Sequence, residues 1–140
     1  RWLGNAIQLD FGKSFLTGRP VMDMLFEAIP NTLILALCAT IFSFAIAIPA
    51  GIISAVKRNT FWDYFFSTIS FIGVSLPSFW FGLMLILLFS LKLEWLPTAG
   101  MRENFDAFVL SDRLKHLVLP TIVLGMGQMA GKMRQLRGAM

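Results

Sequence analysis

Charge is what this 140-residue chain has least of. Only 14% of its residues are Asp, Glu, Lys or Arg, against about 25% in ordinary soluble domains. The single cysteine, Cys38, sits inside an apolar run, which excludes a secreted disulfide scaffold. Scarce charge together with 14 Phe excludes a disordered tail, since such tails lack aromatics. The one histidine, His116, stands alone at the edge of an apolar stretch, so no His-rich metal site is expected within the chain. No carboxylate falls inside a long apolar run. That argues against an intramembrane aspartyl protease and a proton-coupled carrier, both of which need buried ionisable groups.

What remains is hydrophobic: 56% of the residues, with a mean hydropathy of +0.71. Charge-free gaps run from Ala28 to Val56, from Tyr64 to Leu91 and from Leu117 to Gly131. A helix needs about 20 apolar residues to cross a hydrocarbon core of roughly 30 Å. The first two gaps satisfy this directly. The third covers only about 22 Å as a helix, and crosses if Lys132 and Arg134 reach the interface. An all-α, polytopic transmembrane helical bundle is expected, with spans at 31–56, 64–91 and 117–137. The segments between them are 1–30, 57–63 and 92–116.

Basic residues orient these spans. The loop 57–63 and the tail 132–140 are dense in Lys and Arg, whereas 1–30 and 92–116 are sparse and balanced by acids. The positive-inside rule therefore makes the loop and tail cytoplasmic and the other two segments external. The net charge of +4 is the cytoplasmic collar itself. No single basic patch exists, so nucleic acid is not an expected partner.

The span boundaries have physical causes. Pro30 is expected in a first helical turn, with Asn31 or Thr32 capping. Small residues then recur at Ala39, Ser43, Ala47, Gly51 and Ala55, a row that allows close helix approach in lipid. Gly125, Gly127 and Gly131 form a second such face, the last two as GxxxG. Pro49, Pro77 and Pro120 are expected to bend or break their helices. Pro77 lies mid-gap and frees the carbonyl of Gly73, a break that neighbouring protein or a water-filled cavity must satisfy. Gly73, Ser75, Pro77 and Ser78 are thus either a packed structural kink or residues beside a transport route. Gln128 would bond across helices or touch cargo.

Catalytic chemistry is not in view. The intramembrane serines have no His or Lys as base. Gly127–Lys132 is one residue short of a phosphate loop, and Met133 stands where Ser or Thr should bind magnesium. Neither a catalytic residue, a cofactor site nor a metal site is expected.

Beyond composition, the residues themselves resemble a known family. Trp2-Leu-Gly-Asn5, Asp10-Phe-Gly-Lys-Ser14, Gly18-Arg-Pro-Val21 and Ile29-Pro-Asn-Thr-Leu33 are followed by Ile48-Pro-Ala-Gly51 and Ser75-Leu-Pro-Ser-Phe-Trp80. Trp95-Leu-Pro-Thr-Ala-Gly100 and His116-Leu-Val-Leu-Pro120 complete the set. In this order they resemble the permease subunit of peptide and nickel ABC importers, in the dipeptide and oligopeptide branch. The resemblance implies an inner-membrane subunit paired with a second permease, two cytoplasmic ATP-binding subunits and an external solute-binding protein. ATP and magnesium would sit on those partners. It also implies a helix before Arg1 and a coupling loop of E-A-A-x-x-x-G type after Met140. A secondary transporter or channel segment, and a non-transporting membrane anchor, are the alternatives.

Overall fold

The computed structural model describes residue 4 and residues 7–100 and 110–140. The expected external segments 1–30 and 92–116 fall partly outside these residues. Helix α1 spans Val21–Val56, α2 Phe61–Ser75 and α3 Ser78–Leu85, which continues as a π-helical segment, Ile86–Lys92; α4 spans Leu110–Ala139. Among the described residues the only extended pairing is an isolated bridge between Lys13 and Pro20. The chain is all-helical, in two compact units, Arg1–Ile34 and Leu35–Met140.

Helix α1 starts nine residues before the expected opening at Pro30. It runs unbroken through Pro30 and Pro49 for 36 residues, about 54 Å. The reason lies in its composition. In an apolar medium any other backbone conformation exposes unpaired amides and carbonyls, so a helix that loses one bond at a proline is still the least costly state. Asn31 and Thr32 are accordingly not caps. The Asn31 Nδ2 donates to the Glu27 carbonyl at 3.3 Å and the Thr32 hydroxyl to the Ala28 carbonyl at 3.0 Å, both one turn back inside the helix. Pro120 likewise lies within a continuous α4. Only Pro77 interrupts a helix.

The spans differ from expectation in a second way. Among the described residues, α1 alone is by itself long and apolar enough to cross a bilayer. Helix α2 and the α3–π segment pass the same test only together, and they are bent by 101°. Helix α4 is 30 residues long but does not reach the required hydropathy by itself.

In the second unit α1, α2 and α4 meet. Ala47 and Ala50 of α1 pack with Met129 and Met133 of α4, flanked by Phe66 and Ile69 of α2. The small-residue row accounts for the close approach. Ala39, Ser43, Ala47 and Gly51 are buried, while Ala55 is only half-buried. A Cβ on Gly51 would stand 3.0 Å from Leu136 Cβ. On α4 the tight glycine is Gly125, where a Cβ would overlap the Phe42 ring and lie 3.2 Å from the Ala39 carbonyl. Gly127 and Gly131, expected as packing positions, face open space within this chain. The GxxxG spacing places them off the face that α4 turns toward α1. Gln128 does not bond across helices either; it accepts from Lys132 on its own helix at 3.2 Å.

The polar ties are few. The Ser70 hydroxyl donates to the Ala130 carbonyl at 3.0 Å, joining α2 to α4. The Lys132 ammonium lies 3.9 Å from the centre of the Phe44 ring, a cation–π contact between α4 and α1. The strongest tie centres on Asp63, in the first turn of α2 and at the end of segment 57–63 ahead of the second apolar run, with 1% of its surface exposed. Its carboxylate accepts from the Ser54 hydroxyl of α1 at 2.5 Å, the Asn59 amide of the loop at 3.0 Å and the Arg137 guanidinium of α4 at 2.8 Å. The Ser67 hydroxyl approaches at 3.4 Å. The Ser54 hydroxyl first, then the Asn59 amide and the charge of Arg137, hold this carboxyl below the usual carboxylate range, against the opposing effect of burial. Asn59 reaches it from a left-handed conformation (φ 60°), which Asn tolerates better than most residues.

Two predictions follow from this packing. Gly125→Val should destabilise the protein by about 1–3 kcal/mol through overpacking. Gly127→Ala and Gly131→Ala should be neutral or stabilising by up to about 1 kcal/mol, since Ala is the better helix former. Thermal unfolding in detergent micelles measures both, and equal losses at all three sites would contradict the packing described. Asp63→Ala should lower the unfolding midpoint more than Arg137→Met, because it strands a hydroxyl, an amide and a guanidinium at once. As folding depresses its pKa, the stability Asp63 contributes is whole above the ordinary carboxylate range. It is lost as pH falls through that range toward the lowered folded value, and Asp63→Asn should remove this part of the acid sensitivity.

Candidate functional site

The break at Pro77 is built from its neighbours. A residue before proline is pushed out of the helical region, and Leu76 is extended (φ −79°, ψ 128°). Its amide still closes the last turn of α2 by donating to the Ile72 carbonyl at 3.1 Å. Pro77 then stands directly ahead of α3, where its missing amide costs nothing, and its carbonyl accepts from Phe81 at 3.0 Å. The chain thus ends one helix and starts another within two residues.

Of the four residues expected around this break, Gly73 and Ser78 come together. They border a small void of about 30 Å³ that also touches Val123, Met126 and Gly127 of α4. Gly73 is half-buried, and a Cβ there would lie 3.6 Å from the Met126 carbonyl. Ser75 and Pro77 are exposed. Ser78 also lines a larger cavity of about 670 Å³. Phe79, Gly82 and Leu83 of α3 wall it on one side, Leu119, Pro120 and Val123 of α4 on the other, and Pro97–Gly100 at the end. A polar cavity of about 560 Å³ adjoins it, sharing Pro97, Thr98, Ala99 and His116 and adding Ser90, Glu94, Asp112 and Lys115.

Local backbone chemistry holds this wall. In the π-helical segment the Leu93 amide donates to the Leu88 carbonyl at 3.0 Å, one residue further back than in an α-helix. Phe89 offers its carbonyl to Trp95 at 2.9 Å, and the Ser90 hydroxyl donates to the Pro97 carbonyl at 3.1 Å. These bonds fold Pro97–Gly100 back over the cavities. His116 is buried, with Nδ1 2.9 Å from the Asp112 carbonyl one turn earlier. Among the described residues no group of three potential metal ligands comes together. The site offers shape and mixed polarity.

Sequence reasoning missed the π-helical segment, the cavity role of His116 and the Asp63–Arg137 pair. The first has no sequence signal. Asp63 had one: it is the only carboxylate in the two basic segments 57–63 and 132–140.

Known proteins place this arrangement. Residues 47–140 match the family described as binding-protein-dependent transport system inner membrane component. Over the whole chain the sequence is 43% identical to the oligopeptide transport system permease protein AppB of Bacillus subtilis, covering 45% of that protein. It is 36% identical to the di/tripeptide transport system permease protein DppB of Pseudomonas aeruginosa, over 99% of the chain and 47% of that protein. The chain therefore spans about half the length of the curated relatives it matches. With a family match that takes in the last ten residues of α1, the broken helix, the cavities and all of α4, the chain belongs to the inner-membrane permease components of binding-protein-dependent transport systems.

Proposed function

We propose that this chain forms part of the wall of the translocation pathway in an ATP-driven importer of peptides or related solutes. The match of residues 47–140 to the permease family carries the reading, and the oligopeptide and di/tripeptide permeases among the relatives support the solute class. A peptide carries apolar side chains on a polar backbone, and the apolar cavity beside Ser78 with the polar cavity adjoining it suits such a solute. In this reading Gly73, Ser75, Pro77 and Ser78 lie beside the pathway. The segments 1–30 and 92–116 help dock an external solute-binding protein. A second permease subunit completes the pathway, and two ATP-binding subunits on the cytoplasmic side carry ATP and magnesium. The chain itself contributes no catalytic residue and no cofactor site.

Reconstitution tests this. Proteoliposomes holding the assembled transporter, its binding protein and internal ATP should accumulate labelled di- or oligopeptide, and removal of ATP should abolish uptake. Uptake that persists without ATP would make the protein a secondary carrier instead. In the same vesicles Ser78→Cys and Ser75→Cys should react with aqueous thiol reagents at a rate that changes with ATP. Cysteines that stay unreactive through the whole cycle would remove the Pro77 break from the pathway.

A further inference from the structure

The loop ahead of α1 is tightly built, yet it turns its most apolar side chains outward. Between Gly12 and Val21 the chain reverses. The Val21 amide donates to the Gly12 carbonyl at 3.0 Å, Ser14 to Arg19 at 2.9 Å and Gly18 to Ser14 at 2.9 Å. The Ser14 hydroxyl accepts from the amides of Leu16 and Thr17, both at 3.3 Å. Gly12 and Gly18 take positive φ (73° and 69°) where the loop bends, conformations open to glycine at little cost. At the tip stand Phe15 and Leu16, both fully exposed. Turn tips in water favour small or polar residues, so a hydrogen-bonded tip of this composition points to an apolar surrounding.

Its position within the first unit says which. The tip folds back alongside α1, so that Phe15 and Leu16 share a groove of about 790 Å³ with Met24, Leu25 and Ala28. Ala28 is the first residue of the charge-free run. Beyond it the outward side chains Ile29 and Leu33 are exposed and apolar. Of the loop's charged groups, Lys13 borders the groove, and Arg19 pairs with Glu27 at 2.5 Å. Phe15 and Leu16 thus lie level with the start of the lipid-crossing stretch and continue its surface.

We propose that the Phe15–Leu16 tip is seated in the bilayer, at the hydrocarbon boundary of the leaflet on the N-terminal side of α1. The occupant of the groove is lipid. Apolar and aromatic side chains are favoured at this depth, and the hydrogen-bonded loop presents them with little further ordering cost. The inference requires that α1 crosses a bilayer and is independent of which solute is transported.

Nitroxide accessibility tests it on the intact polypeptide in phosphatidylethanolamine–phosphatidylglycerol liposomes, in a background without other cysteines. Labels are placed by Phe15→Cys, Leu16→Cys, Leu37→Cys and Gln8→Cys. Oxygen concentrates in lipid, whereas a nickel chelate stays in water. The labels at 15 and 16 should show an oxygen-to-nickel ratio several-fold above that at 8 and approaching that at 37. High nickel access at 15 and 16 would put the tip in water. Low access to both reagents would mean that protein covers it. Either result overturns the proposal, and if position 37 is not shielded from nickel the membrane crossing of α1 fails with it. These sites are exposed, so labelling leaves the fold intact; should the label at 15 disturb the loop, position 16 gives the decision alone.

Discussion

A carboxylate enclosed by protein must be fully paired, and Asp63 is paired by every element near it. Ser54 anchors it to α1, Asn59 to the connecting loop and Arg137 to the end of α4. Helix association in lipid has no hydrophobic drive and rests on close packing and polar ties. In this chain the close packing comes from Ala39, Ser43, Ala47 and Gly51, with Gly125 opposite Phe42. The polar ties, apart from Ser70 and Lys132, gather at Asp63. Remove that group and the loop loses what fixes it between α1 and α4.

The same pairing fixes the other end indirectly. With α2 held to α4 at Asp63–Arg137 and at Ser70–Ala130, the break at Pro77 falls opposite Val123 and Met126. Helix α3 then leaves at a steep angle, and the space opened between it and α4 becomes the apolar cavity.

Much of this was legible in the residues. The helical class, the apolar runs, the family and the small-residue row on α1 follow from composition and from motifs such as Ser75-Leu-Pro-Ser-Phe-Trp80. What was not legible has a common physical source. Proline weakens a helix locally, but whether it breaks depends on what surrounds the freed carbonyl, so Pro30, Pro49 and Pro120 stayed helical while Pro77 did not. A glycine spacing says two helices can approach, without saying which glycine meets a neighbour; Gly125 does and the Gly127–Gly131 pair does not. Asp63 and Arg137 are 74 positions apart, and a partner at that separation leaves no local pattern.

That separation also has a consequence for synthesis. A chain emerges from the ribosome N-terminus first, at about 5–20 residues per second. Asp63 is therefore made, and the α1–α2 hairpin can form, roughly 4–15 s before Arg137 exists to neutralise it. During that interval Ser54 and the Asn59 amide are the groups that hold the carboxylate. Both are already synthesised, within nine residues of it. The nascent hairpin thus carries its own temporary counterweight, and the arrival of α4 turns a local turn into a closed three-helix joint.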